Sequence, residues 1–168
     1  MRYHYTLLDT ELGHLGLVRS AAGLVRVTIA QSRAAVLESI NTDYPNAVES
    51  VGAFGDLPSR LARYIVGERV TFNDSVDLSA LTDFQRAVLE AARAIPYGEV
   101  RSYSWLAQQL GKPKGARAVG QALARNPVPI VVPCHRVIGG DGGLTGFSAS
   151  LGMKRRLLEL EGFMAPEK

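Results

Sequence analysis

The chain has 168 residues, of which 46% are hydrophobic and 21% charged, a composition that excludes an intrinsically disordered protein and provides enough apolar material for a core. No stretch approaches the roughly 20 consecutive apolar residues of a membrane helix, and the first residues lack the apolar segment of a secretion signal, so we expect a cytoplasmic protein without a membrane partner. The net charge is +3, but residues 1–78 carry 7 Lys and Arg against 9 Asp and Glu whereas residues 79–168 carry 12 against 7, so the positive charge lies in the second half.

The first 78 residues show the pattern of a small sheet with helices. Runs rich in Tyr, Leu, Val and Ile, separated by turn-like residues, predict an antiparallel meander with strands over residues 3–8, 12–19 and 23–30. The segments that follow are predicted as two helices, Ser32 to Ile40 and Leu57 to Val66, and an extended or irregular stretch over residues 69–78. A change of character near residues 76–81 predicts two domains, residues 1–78 and 79–168.

A capping box marks the start of the second domain. The Thr82 side chain can accept a hydrogen bond from the Gln85 amide while the Gln85 side chain reaches back, a reciprocal pair that begins helices. The helix that follows has one apolar face and ends near Pro96. The residues on that face are Phe84, Val88, Ala91, Ala92 and Ile95. We therefore predict a core helix here.

Two short helices around a tight turn predict a helix-turn-helix motif over Ser102 to Leu110 and Gly115 to Ala124. One face of the second helix is nearly all Gly and Ala, and Arg117 stands in that face. Small side chains allow close approach either to a ligand or to another element of the same protein, and the spacing favours neither. Between positions 101 and 156 nine basic residues stand with one acidic residue, Asp141. This charge favours nucleic acid as the partner, with an ordinary solvated surface as the alternative.

These elements together predict an α+β fold, with a small N-terminal antiparallel sheet domain and a mostly helical C-terminal domain that contains the helix-turn-helix. The single cysteine, Cys134, excludes an intramolecular disulfide and a cysteine-rich zinc site. The three histidines are too far apart in the chain to suggest a metal cluster. No phosphate-binding or dinucleotide-binding glycine motif is present.

Cys134 follows a stretch with three prolines in seven residues, which excludes a helix and regular pairing in the centre of a sheet. We interpret this stretch as an extended, buried segment that holds the thiol in place. A buried cysteine is often only an inert apolar side chain. Here His135 and Arg136 follow directly, and the pKa of a thiol falls beside cationic groups, while an imidazole can accept its proton.

Adjacent side chains of an extended segment point to opposite sides, so a direct bond between Cys134 and His135 requires a sharp bend. The alternative is a water molecule that relays the proton. In either case His135 needs an acid that sets its tautomer. Glu161, at the end of a helix over Met153 to Leu160, is a candidate, although most glutamates are simply solvated.

The sequence resembles the O(6)-alkylguanine-DNA alkyltransferases. The motifs that carry this resemblance are IPYGEVRSY at 95–103, GARAVG at 115–120, NPVP at 126–129, PCHRV at 133–137, TGFS at 145–148 and KRRLLELEG at 154–162. The match is dense over residues 80–162 and loose over residues 3–78. It implies a ribonuclease-H-like N-terminal domain and a DNA repair protein that moves an alkyl group irreversibly from the six-oxygen of guanine in duplex DNA to its own cysteine.

The resemblance also implies roles for individual residues. In the reaction, Cys134 is the alkyl acceptor, His135 the water-mediated base, Glu161 the group that orients His135, Asn126 the brace of the active-site turn, and Tyr103 the donor toward guanine N3. Around the base, the Ser148 region caps the six-oxygen, backbone at Cys134 and Val137 reads the exocyclic amine, and Phe147 forms an apolar wall. On DNA, Arg117 fills the gap left by the flipped nucleotide, and Gly115, Ala116, Ala118 and Gly120 let the second helix lie close in the minor groove.

The family resemblance implies no cofactor and no metal, since the cysteines that bind zinc in some relatives are missing. The expected partner is double-stranded DNA that contains alkylated guanine, bound by a protein that is a monomer in solution, with cooperative assembly on DNA left open. Ala149 and Ser150 stand where relatives usually have two glycines, which affects the alkyl size that the site accepts.

The residues argue against two other classes of function. A non-catalytic module that senses alkylated guanine would lack the cysteine, so Cys134 with Tyr103 and Asn126 argues against it. A cysteine hydrolase could use Cys134 and His135, but no glycine pattern of an oxyanion hole precedes the thiol, and a basic helix-turn-helix would have no use.

Overall fold

The computed structural model describes residues 2–139 and 151–163 and divides the chain into two compact units, Met1–Leu78 and Ser79–Lys168. The predicted α+β class is confirmed. In the first unit the three predicted strands are β1 (His4–Thr10), β2 (Gly13–Arg19) and β3 (Leu24–Ala30), joined antiparallel. Helices α1 (Arg33–Asp43) and α2 (Leu57–Ile65) follow, with a 3₁₀ turn at Val51–Phe54 between them.

The sheet of the first unit is mixed, because a two-residue strand that the sequence did not predict, β4 (Val48–Glu49), pairs parallel with β1. The strand order is β3-β2-β1-β4. Helix α1 packs its Val36 and Ile40 side chains onto Val18 of the sheet. Gly16 makes this approach possible, since a Cβ atom there would lie 2.4 Å from Cγ1 of Val36.

The second unit begins with α3 (Asp83–Arg93), whose capping box contains both reciprocal hydrogen bonds between Thr82 and Gln85. The predicted helix-turn-helix is present as α4 (Tyr103–Gln109), capped by the Ser102 side chain, and α5 (Ala116–Ala124). Two strands of two residues each, β5 (Arg101–Ser102) and β6 (Val137–Ile138), pair in parallel. They bring the start of α4 beside the segment after Cys134. Helix α6 (Leu151–Leu160) completes the described part of the unit.

Hydrophobic cores form inside each unit. In the second unit the core includes Val88 and Ala92 of α3, Leu106 of α4, Val119 of α5 and Leu157 of α6, each fully buried. Helices α3, α4 and α5 therefore fix one another and carry the segments that hold Cys134. Within residues 2–139 and 151–163, none of the helices has the length and apolar character needed to cross a bilayer.

Candidate active site

The segment before Cys134 is a buried loop closed by Asn126. The Asn126 side chain donates from Nδ2 to the Val132 carbonyl at 2.9 Å, and its Oδ1 accepts from the Val128 amide at 3.0 Å. The Val132 amide donates to the Val128 carbonyl at 3.0 Å. The prediction of burial is correct, but the segment is not extended: it turns back on itself because these hydrogen bonds join its two ends.

Backbone strain marks the tip of this loop. Ile130 has a φ of 76°, a left-handed conformation that costs a non-glycine residue about 1–3 kcal/mol. Its side chain is 1% exposed. Packing of Ile130 and the hydrogen bonds of Asn126 together offset this strain and hold the backbone that leads to Cys134 in one conformation.

The chain bends at Cys134, which opens a 3₁₀ turn over Cys134–Arg136. The Cys134 amide donates to the Val132 carbonyl at 2.8 Å, and the residue is 3% exposed. Of the two arrangements that the sequence left open, the sharp bend is therefore present. A water relay between the sulfur and the ring stays a prediction.

His135 and Glu161 meet in the interior of the second unit. Nε2 of His135 lies 2.7 Å from Oε2 of Glu161, and both side chains are 0% exposed. Glu161 reaches this position because α6 ends at Leu160, and the Glu161 amide donates to the Leu157 and Leu158 carbonyls. A carboxylate on Nε2 favours the tautomer with its proton there, so Nδ1 is the ring nitrogen that can accept one.

Glu161 also binds Arg136 and the Gly98 amide. Arg136 donates from Nε to Oε1 at 2.8 Å and from Nη2 to Oε2 at 3.0 Å, and Gly98 donates to Oε1 at 3.1 Å. Arg136 further donates from Nη1 to the Ile95 carbonyl at 2.7 Å. The sequence predicts Arg136 to be a cation beside the thiol, whereas its guanidinium is directed at the Glu161 carboxylate and the Ile95 carbonyl.

Burial controls the protonation of the cysteine and histidine. It raises the pKa of Cys134 to about 11, although a hydrogen bond from the Asn126 side chain and the charge of Lys154 both oppose this increase. Burial also lowers the pKa of His135 despite its hydrogen bond to Glu161. At neutral pH the sulfur is therefore a thiol and the ring is neutral, so the thiol needs a base and the ring can be that base.

Lys154 is a buried cation beside the thiol that the sequence did not predict as a site residue. Its side chain is 0% exposed, and Nζ donates to the Val137 carbonyl at 2.7 Å and to the Tyr103 hydroxyl at 3.1 Å. Burial lowers the pKa of Lys154 to about 8. The available signal was helical spacing: Lys154 lies three and four positions before the buried Leu157 and Leu158, so it shares their face.

Tyr103 stands between Lys154 and α5. Nζ of Lys154 lies 5.4 Å from the centre of the Tyr103 ring. Burial, with a smaller effect from the Cys134 charge, raises the pKa of Tyr103 to about 12. A Cβ atom on Gly120 would lie 3.7 Å from this ring, so a small residue in α5 allows close packing of α4 and α5. This distance is an ordinary van der Waals contact, so packing against Tyr103 allows a methyl group and does not by itself require glycine.

The other small residues of α5 differ in exposure. Arg117 and Ala118 are exposed, Ala116 is half-buried, and Val119 is fully buried on the opposite face. The half-buried Gly115 is the N-cap, where a Cβ atom would lie 3.0 Å from the Lys112 carbonyl oxygen. The exposed residues of α5 are thus the small Ala118 and two long side chains, the cationic Arg117 and the neutral Gln121.

The remaining predicted site residues are Val137, Phe147 and Ser148. Val137 is 0% exposed, and its carbonyl accepts the hydrogen bond from Lys154. Phe147 and Ser148 lie outside the described residues, as do Ala149 and Ser150. In the part of the chain that the structure describes, no cluster of three or more His, Cys, Asp or Glu residues could hold a metal ion.

Two family models match the chain. The model for the 6-O-methylguanine DNA methyltransferase ribonuclease-like domain matches residues 3–78, and that for the DNA binding domain of the same family matches residues 83–163. Together they span both structural units.

Individual relatives match over nearly the whole chain. The methylated-DNA–protein-cysteine methyltransferase of Mycobacterium tuberculosis is 41% identical over 163 residues, covering 97% of this chain and 94% of the relative. The constitutive enzyme of the same name from Bacillus subtilis is 39% identical over 172 residues, covering 98% and 99%. Among solved structures, Mycobacterium tuberculosis OGT in complex with DNA has a TM-score of 0.80 at 39% identity, covering 96% of this chain and 92% of that one.

Proposed function

The chain belongs to the 6-O-methylguanine DNA methyltransferase family, and we propose that it transfers the alkyl group from the six-oxygen of guanine in duplex DNA to Sγ of Cys134, once per protein molecule. The observation that carries this proposal is the buried Cys134, beside Asn126 and Lys154 and adjacent to the His135–Glu161 pair. The helix-turn-helix of the same unit supports binding to DNA.

The reaction breaks the bond between the alkyl carbon and the six-oxygen and forms a bond between that carbon and Sγ. The thiol proton leaves for His135, through water or directly, and guanine gains a proton as it departs. Since burial keeps the thiol protonated at neutral pH, proton removal must accompany attack. His135, whose pKa burial lowers, is neutral and able to accept this proton.

Glu161 serves His135 as a fixed anion. It accepts hydrogen bonds from Nε2 of His135, from two nitrogens of Arg136 and from the Gly98 amide. This set holds the carboxylate in place and favours its charged form. Glu161 therefore orients the ring and stabilises the imidazolium that forms, without taking the proton itself.

Tyr103 and Lys154 act together at the opposite end of the base. Tyr103 donates its hydroxyl proton toward guanine N3, and the Lys154 ammonium, which donates to the same hydroxyl oxygen, stabilises the phenolate that this step produces. Lys154 also lowers the pKa of the cysteine by its charge. The Lys154 ammonium thus stabilises both the Cys134 thiolate and the Tyr103 phenolate.

We propose that the exposed side of α5, which carries Arg117, Ala118 and Gln121, lies in the minor groove of DNA. A base inside the duplex must leave the stack before its six-oxygen can meet Cys134, at a cost of a few kcal/mol. Arg117 is the side chain that fills the space left behind, and Ala118 permits the close approach. Because the relatives named above are bacterial, and bacterial DNA lies in the cytoplasm, we propose a cytoplasmic location.

Intact mass spectrometry tests the proposal. After incubation with a duplex that contains one methylated guanine, the protein should gain one methyl group in place of one hydrogen, located on Cys134 by peptide mapping. Excess substrate should leave the yield at one methyl per protein. Cys134→Ser is the control and should gain none. An unchanged mass would support a binding module, and turnover of many substrates would exclude single use of the thiol.

Arg117→Ala should lower the transfer rate on duplex DNA by at least tenfold while affecting the rate with free O6-benzylguanine far less. The reason is that only the duplex leaves a gap when the base is extruded. Arg33→Ala removes the same charge from the first unit and should leave the duplex rate unchanged. Equal losses of Arg117→Ala on the two substrates would contradict the role of this residue in the duplex.

A further inference from the structure

Trp105 is an exposed aromatic residue in the first helix of the helix-turn-helix. It is the only tryptophan of the chain and is 37% exposed. Among the described residues, the other large apolar side chains this exposed are valines of the first unit, Val48, Val51 and Val66. Tryptophan is enriched at contact sites, because it offers a large apolar ring together with an N–H donor.

The neighbours of Trp105 on the helix surface are cationic or polar. The Arg101 guanidinium lies 5.3 Å from the centre of the Trp105 ring. Three and four positions after Trp105 come Gln108 and Gln109, both exposed, and the exposed Lys112 follows the helix. We call Arg101, Trp105, Gln108 and Gln109 the α4 strip.

The charge of the chain around the α4 strip fits a polyanion, although Arg101, the single charged residue of the strip, is paired with Glu99. One acid lies at its edge: Glu99 accepts from Nη2 of Arg101 at 2.8 Å, which holds the guanidinium on the ring face. No acidic residue occurs from position 101 to position 139. Arginine and glutamine side chains donate to phosphate oxygens, and an indole offers a ring face to sugars or bases together with an N–H donor.

A phosphodiester backbone suits this surface better than a protein partner. The α4 strip has one large apolar side chain among polar ones, whereas the centre of a protein interface needs a larger apolar patch. Helix α4 also packs directly on α5, as the Tyr103 ring against Gly120 shows. A duplex bound by α5 therefore has its backbone near α4.

We propose that the α4 strip is a second DNA contact, which binds the phosphodiester backbone next to the segment held by α5. The Trp105 ring lies against a deoxyribose, and Arg101 and the two glutamines donate to phosphates. This inference rests on the proposed function, since it extends the DNA surface of the same helix pair. It predicts a larger footprint on the duplex than α5 alone would produce.

Trp105 reports on its own contact, because all tryptophan fluorescence of the protein comes from it. Titration with an undamaged 20-base-pair duplex should change its emission and reduce its quenching by acrylamide, in parallel with binding followed by anisotropy of the labelled duplex. Unchanged emission and quenching at saturating duplex would overturn the proposal. Protection that instead rises with protein concentration in the absence of DNA would assign the surface to a second copy and would overturn it as well.

Variants provide an independent test. Trp105→Ala should weaken binding to the duplex by about fivefold, the lower end of the range for loss of an aromatic side chain stacked on a nucleic-acid base. Val66→Ala removes an exposed apolar side chain from the first unit and should bind as the wild type does. Thermal unfolding shows whether each variant is folded, and wild-type affinity of folded Trp105→Ala would overturn the proposal. Methyl transfer by the wild type is measured in parallel, so failure of the proposed function is separately visible.

Discussion

Replacement of Glu161 by glutamine is expected to lower both the stability of the protein and its transfer rate severely. The carboxylate is 0% exposed and is the shared acceptor for His135, Arg136 and the Gly98 amide. Its loss leaves a buried guanidinium without its counterion, which costs about 3–5 kcal/mol. His135 loses the anion that stabilises its charged form, and the transfer rate should fall by ~10²-fold or more.

Urea unfolding and single-turnover transfer measure the two effects of Glu161→Gln separately. Glu159→Gln is the matched control, since Glu159 is exposed on the same helix, and it should change neither. The double variant Glu161→Gln with Arg136→Met removes the buried cation as well, so much of the stability should return while transfer remains slow. Recovery of transfer in that double variant would contradict the role of Glu161 in orienting His135.

The parts of the fold that depend on local physics could be predicted from the sequence. The capping box of Thr82 and Gln85 requires only residues three positions apart, and both of its hydrogen bonds are present. The three long strands follow from runs of strand-forming residues. The first helix of the helix-turn-helix follows from its Ser102 cap and ends just before Gly111, which has a φ of 73°. In each case the interactions that decide the structure are close in sequence.

The short strand β4 could not be predicted, because two exposed residues, Val48 and Glu49, carry no periodic signal and pair with β1 more than forty positions away. The same limit applies to Arg136. Its direction is set by Glu161 and Ile95, which lie 25 and 41 positions away. The sequence shows a cation next to the cysteine but not where the guanidinium points.

Lys154 was missed for a different reason. It begins a run of three basic residues, and such runs are usually solvated. Arg155 and Arg156 are indeed exposed, whereas Lys154 falls on the buried face with Leu157 and Leu158. Lys154 looks like an ordinary surface lysine in this basic run, and only its helical spacing from Leu157 and Leu158 indicates that it is buried at the site.

Replacement of Lys154 by methionine is expected to reduce transfer by ~10²-fold or more, since it removes the cation that favours both the thiolate and the phenolate. Stability should change little. A pKa of about 8 in the fold against an ordinary 10.5 means that the charged form costs about 3 kcal/mol. Methionine removes that cost but leaves the Val137 carbonyl without its donor, a loss of about 1–3 kcal/mol.

Lys154 also sets how the stability of the protein and its transfer rate depend on pH. The folded pKa of Lys154 lies below its unfolded value, so its destabilising effect is fully present below pH 8 and fades as pH rises through 8 to 10.5. The wild type should therefore gain stability relative to Lys154→Met over that interval. With His135 as the base, wild-type transfer should be level up to about pH 8 and decline above it, as the ammonium loses its proton.

Single-turnover transfer assays from pH 6 to pH 10 test the expected decline in rate, and urea unfolding at the same pH values tests the expected gain in stability. Arg155→Met is the matched control, because it removes an exposed cation from the adjacent position of α6, and it should keep the wild-type profile. Lys154→Met should show no decline near pH 8. If it transfers at the wild-type rate, or if its profile declines near pH 8 as the wild type's does, then the buried ammonium is not the group that stabilises the reacting anions, and Tyr103 and Asn126 must suffice.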